Sequence, residues 1–183
     1  MKVGFIGLGN VGGKLAGSLI RNGHDVWVRD LDAGLMQSFV GMGANPTNTP
    51  QELAEAVEVV ITCLPSPAAS AAVMEADDGV IAALKSGQIW LEMSTTDNEE
   101  VQRLGAKVQA KGGLAIDCPV SGGCHRAATG NIAIFAGGDR QAFETALPLL
   151  KSMGRRILHT GPLGSASILK VVTNYLATAN LCS

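Results

Sequence analysis

The chain has 183 residues, 46% of them hydrophobic and 16% charged. That is enough apolar material for one domain with its own core and the start of another, and too little charge for a disordered chain. A net charge of −2 at pH 7 implies no basic face, so neither nucleic acid nor an anionic membrane is expected as a partner.

From the N-terminus, an apolar run is interrupted by Gly and Asn before Val11, too early for the core of a signal peptide. Residues 2–8 (KVGFIGL) predict a first strand and residues 11–21 a helix that Asn22-Gly23 ends. Residues 25–29 (DVWVR) predict a second strand and residues 33–42 a helix. Thr49-Pro50-Gln51-Glu52 supplies an N-cap, a proline at the first helical position and a glutamate that closes a capping box. A buried strand over 58–64 follows, then helices over 67–75 and 79–84 and a strand over 88–93. Thr96-Asp97-Asn98-Glu99 reads as a second capping box, opening a helix to about Lys111. Strands over 114–117 and 132–136 flank a glycine-rich loop. A helix over 140–153 and a short strand over 156–159 complete the pattern.

Residues 164–183 are helical in pattern and apolar on most sides, through Ile168, Leu169, Val171, Val172, Tyr175, Leu176 and Leu181. Lys170 and Asn174 interrupt them, which argues against a membrane span. Such a helix is normally buried, and no capping signal ends it, so the chain is expected to continue. The four cysteines (Cys63, Cys118, Cys124, Cys182) form no CxxC pair, and no histidine cluster has metal-ligand spacing. Reduced thiols, no metal and a cytoplasmic setting are expected.

Alternating strands and helices predict an α/β fold around a mostly parallel sheet. Gly7-Leu8-Gly9-Asn10-Val11-Gly12 fits G-x-G-x-x-G between a strand and a helix, the context the motif requires. Gly7 allows the tight turn, Gly9 lets the backbone approach a pyrophosphate, and Gly12 lets the helix pack close to the strand. The helix start, with Asn10 and Val11, offers N–H donors to the anion. Asp30 ends the second strand, where a carboxylate accepts hydrogen bonds from ribose hydroxyls and repels a 2′-phosphate. Its plainer reading is a cap for the next helix. Arg29 should point away from it in a strand. These features predict a Rossmann-type doubly wound domain that binds NAD in preference to NADP.

Asp117-Cys118-Pro119-Val120-Ser121-Gly122-Gly123, Ser94-Thr95, Gly161-x-x-Gly164, and Lys170 with Asn174 match one further pattern. Together with GFIGLGNVG and Gly23-His24, the chain resembles the β-hydroxyacid dehydrogenase family along its whole length. The resemblance implies that Lys170 is the catalytic lysine and that Asn174 holds lysine and substrate. It implies that Ser121, Gly122 and Gly123 grip a substrate carboxylate and that Thr95 lies between nicotinamide and substrate. Leu64 and Pro65 would cover the cofactor. The implied organisation is a dinucleotide domain over 1–162, with 163–183 opening an interdomain helix to an all-α domain. A homo-oligomer is expected, since an uncovered apolar face on residues 165–183 would recruit a second copy. The chain departs from the family at Ala166 and Thr173, where Gly and Asn are usual, and at the bulky Cys124-His125-Arg126.

Hydride transfer needs a proton moved at the alcohol oxygen, and a lysine in an apolar stretch can move it. Lys170 and Asn174 are i and i+4, on one helical face. Plainer readings remain at each position: a snorkelling lysine, an ordinary glycine turn, a helix cap at Thr95. His125 and Arg126 are read either as exposed loop residues or as readers of a second polar group on the substrate, and His24 and His159 as structural. The expected activity is hydride exchange between NAD and a small hydroxy acid such as 3-hydroxyisobutyrate. The alternatives are an imine reductase, which lacks such a lysine as a rule, and a nucleotide-binding domain without turnover.

Overall fold

Val3, Phe5 and Ile6 are buried to 3% exposure or less, as a strand covered on both faces requires. The computed structural model describes residues 1–182, Leu181 and Cys182 by backbone alone. Ser183 and the side chains of Leu181 and Cys182 lie outside the described residues.

The order is β1 (Lys2–Ile6), α1 (Gly12–Arg21), β2 (Asp25–Arg29), α2 (Ala33–Gly41), β3 (Asn45–Pro46), α3 (Pro50–Ala56), β4 (Val59–Thr62), α4 (Pro67–Glu75) and α5 (Val80–Ala83). It continues with β5 (Ile89–Glu92), α6 (Asn98–Ala110), β6 (Leu114–Asp117), β7 (Val120–Ser121), α7 (Gly123–Ala128), β8 (Ile132–Gly138), α8 (Arg140–Met153), β9 (Gly154–Gly161) and α9 (Ser165–Cys182).

The strands form one sheet in the order β3-β2-β1-β4-β5-β6-β8, with β7 and β9 also paired to β8. β1 to β6 are mutually parallel wherever they pair. Alternate side chains feed two cores. Val3, Phe5, Val59, Ile61 and Leu91 pack with Leu15 and Leu19 of α1 and Leu150 of α8. Ile6, Val60 and Trp90 pack with Leu53 of α3 and Leu104 and Val108 of α6. Helices on both faces make the sheet doubly wound, as expected from the sequence.

β8 runs antiparallel to both β6 and β7, in one unbroken register from Ile116↔Gly138 to Ser121↔Ala133. β6 and β7 are therefore one strand line interrupted at Cys118-Pro119, where the Pro119 carbonyl still accepts a bond from Phe135 N–H. At about 3.3 Å per residue, Ser121 stands roughly 13 Å beyond Asp117.

The structure corrects several local readings. The glycine-rich loop after β6 holds a strand and a short helix. The two-residue β3 is too short to show any periodicity. Asp97, not Thr96, caps α6, its Oδ1 accepting from Glu100 N–H at 2.7 Å. Thr49 caps α3 as expected, but Glu52 closes its box on Asn48 N–H, one residue earlier. α9 begins buried at Ala166 and Ser167 and then emerges, with Val171, Tyr175 and Leu176 57%, 72% and 54% exposed. Among the described residues no helix is long and apolar enough to cross a membrane.

Candidate functional site

Because β1, β2, β4, β5 and β6 are parallel, the segments that follow them leave the sheet at one edge. Gly7, Asp30, Leu64-Pro65, Ser94-Thr95 and Cys118 all stand there. The winding reverses between β1 and β4, and crevices that take ligands form at such a point.

The three glycines of the turn serve different needs. Gly7 has φ +97°, and a Cβ on it would press on the Cys63 carbonyl. A Cβ on Gly12 would run into the Gly7 carbonyl oxygen. Gly9 has no protein atom within 4 Å of where its Cβ would lie. The fold therefore requires Gly7 and Gly12, while the bareness of Gly9 serves whatever approaches from outside. α1 carries no side-chain cap, whereas α2, α3, α4, α6 and α8 each do. Open N–H donors beside a bare backbone fit a pyrophosphate.

Asp30 does more than end β2. Its Oδ2 accepts a 2.6 Å bond from Leu8 N–H in the glycine turn, and its Oδ1 accepts from Asp32 N–H at 2.9 Å. An ionised carboxylate offers about four acceptor positions, so two remain for ribose hydroxyls. The cap of α2 is Asp32, which accepts from Gly34 and Leu35 N–H, so the plainer reading of Asp30 fails. The Arg29 guanidinium donates to the Asp30 backbone carbonyl, while the carboxylate takes its bonds from Leu8 and Asp32 N–H.

The next two loops are tied together. Leu64 N–H donates to Ser94 Oγ at 2.8 Å, and Ser94 N–H donates to Glu92 Oε1 at 2.8 Å. Burial pushes the Glu92 carboxyl above its ordinary range. Burial, with the Glu92 charge nearby, pushes the Cys63 thiol up to about 12. Cys63 is thus an inert thiol under the crevice. Thr95 is exposed beside buried Ser94, and since Asp97 holds the cap, Thr95 is free of that duty.

Ser121 is half-buried on β7, and Gly122 (φ +127°) and Gly123 turn the chain into α7. The far end of α7 is tied to the glycine-turn helix, since Arg21 of α1 donates to the Ala128 carbonyl at 3.2 Å. His125 and Arg126 are exposed on α7. His24 bonds Ser152, and His159 bonds the Gly138 carbonyl and stacks on Phe143, so both brace the fold.

Lys170 is half-buried on α9, and desolvation lowers its pKa from the ordinary 10.5. Asn174, one turn on, is exposed. The structure thus gathers Gly7, Gly9, Asp30, Leu64 and Pro65 at one crevice and sets Ser121 on the wall beyond it. Sequence reasoning missed Glu92, Ser94 as a tether, and Asp117. Asp117 is fully buried and accepts bonds from Gly164 N–H at 2.7 Å, Ser167 N–H at 2.8 Å and Ser167 Oγ at 3.0 Å. An acid closing an otherwise apolar strand was the available signal.

Three known proteins frame this geometry. The 3-hydroxyisobutyrate dehydrogenase of Pseudomonas aeruginosa is 34% identical over 174 residues, covering 95% of this chain and 58% of that protein. A structure of 3-hydroxyisobutyrate dehydrogenase from Mycobacterium tuberculosis with L-serine superposes with a TM-score of 0.90 at 29% identity, over 96% of this chain and 60% of that one. An imine reductase from Myxococcus stipitatus shares the fold, with a TM-score of 0.92 at 16% identity over 98% of this chain and 62% of that one. The chain spans less than two thirds of the length of the curated relatives it matches. The family model described as the NAD binding domain of 6-phosphogluconate dehydrogenase matches residues 2–161. With its cofactor crevice and its dehydrogenase relatives, the chain belongs to that family, as a β-hydroxyacid dehydrogenase-type NAD-binding domain.

Proposed function

We propose that this chain is the cofactor-binding part of an NAD-dependent dehydrogenase for small β-hydroxy acids, with Lys170 as general acid and base. The observation that carries the reading is a half-buried lysine, its pKa lowered by desolvation, on a helix anchored to the strand line that leads to Ser121, Gly122 and Gly123. Bound NAD supplies the hydride acceptor. In oxidation, neutral Lys170 takes the hydroxyl proton as the hydride leaves the same alcohol carbon, so one proton and one hydride depart and a carbonyl forms. In reduction the ammonium returns the proton. Asn174 orients lysine and substrate. Ser121, Gly122 and Gly123 hold the carboxylate by hydroxyl and N–H donors. Thr95 stands between nicotinamide and substrate.

On the cofactor side, Gly9, Asn10, Val11 and Gly12 take the pyrophosphate, Asp30 takes the ribose, and Leu64 and Pro65 cover the adenosine side. Residues 1–162 form the dinucleotide domain, and residues 163–183 open the helix toward an all-α domain. The exposed apolar side chains of α9 beyond Lys170 support that division, and they support a homo-oligomer. Cys63, Cys118 and Cys124 are free thiols, which suits the cytoplasm. Imine reductases as a rule lack a lysine at this place, so Lys170 favours the hydroxy acid.

The test is a panel of small hydroxy acids with NAD at alkaline pH, using the enzyme at its full natural length. Lys170→Ala should lower turnover by about 100-fold or more while NAD affinity stays the same. An Ala variant that turns over normally would remove the lysine from the mechanism.

A further inference from the structure

We propose that Asp117 is the positioning residue for Lys170: its carboxylate clamps the start of α9 to the end of β6 and so fixes the lysine against the carboxylate-binding turn. The inference rests on the reading of Lys170 given above.

The clamp is closed on both carboxylate oxygens. Oδ1 accepts from Gly164 N–H, and Oδ2 accepts from both N–H and Oγ of Ser167. The first turn of a helix leaves N–H groups without intrahelical partners, and Asp117 satisfies two of them from another element, 47 and 50 residues away in sequence. Neighbouring groups hold the carboxylate in place. A Cβ on Gly137, its cross-strand partner, would press on Asp117 Oδ1 and on Ser165 Oγ. Ser165 Oγ is bonded to Thr160 Oγ1 at 2.6 Å. A second contact holds the same helix end from the other side, where a Cβ on Gly105 of α6 would strike Leu163.

Position follows from this arrangement. Lys170 lies three residues past Ser167, about 4.5 Å further along the axis and close to the same face. Ser121 lies four residues past Asp117 on the β6–β7 line. One buried carboxylate thus sits at the root of both arms, the helix that carries the proton-transfer group and the strand that carries the anion-binding turn. A displacement of about 1 Å in such a geometry costs on the order of 100-fold in rate. The choice of acid is also accounted for. Burying a carboxylate is costly, and three donors on a fixed helix start offset that cost. An asparagine of the same shape would turn an NH2 toward one of those N–H groups, opening the clamp without removing its bulk.

The variants are Asp117→Asn and Ser167→Ala, with Lys170→Ala alongside, all in the full-length enzyme. Asp117→Asn should keep its circular dichroism and its affinity for NAD, lose about 30-fold or more in kcat, and lose much less in KM for the hydroxy acid. The Gly164 and Ser167 amides should exchange with solvent about 10-fold faster or more, a readout independent of turnover. Ser167→Ala, which leaves two of the three bonds, should fall between this variant and the parent, and it decides the matter if Asp117→Asn does not fold. Folded Asp117→Asn with parental kcat beside an inactive Lys170→Ala overturns this inference alone. So does parental kcat in Ser167→Ala when Asp117→Asn does not fold. An active Lys170→Ala overturns the reading beneath it.

Discussion

At Asp30, one carboxylate holds the glycine turn through Leu8 N–H and keeps two acceptor positions open, which the proposed ribose contact would use. Asp30→Ala should therefore weaken NAD binding and narrow the gap between NAD and NADP. Calorimetric titration of both cofactors into the parent and the variant checks this, and a parent that prefers NADP contradicts the assignment. Lys170 gives a pH prediction with a definite sign. Its pKa is lowered because burial disfavours the ammonium. Hydroxy acid oxidation needs the neutral amine, so kcat should rise with pH through a midpoint below 10.5, and Lys170→Ala should lose that limb. Stability moves in the same direction. The burial cost of the ammonium is present below the folded-state pKa and vanishes as pH rises toward 10.5. The sequence carried both residues because each sits in a short local pattern. Asp117 stood out only as an acid closing an apolar strand; its partners, 47 and 50 residues away, leave no local pattern.

Among whole elements, α4 and α6 are joined at the surface by Glu75, which pairs with Arg103 at 2.7 Å and with Lys107. The hydrogen bond from Arg103, then that from Lys107, holds the Glu75 carboxyl down at about 2. A depressed carboxyl pKa gives stability that is present above the ordinary 4.5 and lost as pH falls toward 2. The network is solvent-facing, so Glu75→Gln should cost only about 1 kcal/mol or less at pH 7. Thermal melts should show a small difference at pH 7 that closes near pH 2, and an undiminished gap at pH 2 would contradict it. The apolar runs of β1, β4 and β5 and the proline-led helices α3 and α4 were legible because burial and capping leave a local trace. β3 and α7 were not, since neither two residues nor a glycine-rich turn has a period to read. The cap of α6 slipped by one because Thr96 and Asp97 are both good caps, and only the fold shows which one meets the helix N–H, here Asp97.

For the molecule as a whole, the emerging half of α9 is the feature that stands apart from the two cores. Ile168, Val171, Val172, Tyr175 and Leu176 are each about half exposed or more, and patches of this kind rarely stay uncovered. This chain alone should self-associate through that face. Light scattering should give a mass above that of the 18.8 kDa chain, returning to it in Val172→Glu/Leu176→Glu. A monodisperse parent would contradict this. The doubly wound architecture was legible from the alternation of strands and helices, but the antiparallel β8 that builds the wall beside the crevice was not, because pairing direction leaves no mark on composition. The clamp at Asp117 has a last consequence, in the order of assembly. Every group that grips the start of α9 precedes it in the chain, from Asp117 on β6 through Gly137 on β8 to Thr160 on β9. During synthesis from the N-terminus, the sheet can close before the helix leaves the ribosome. Lys170 therefore arrives after the socket for the helix that bears it has been built.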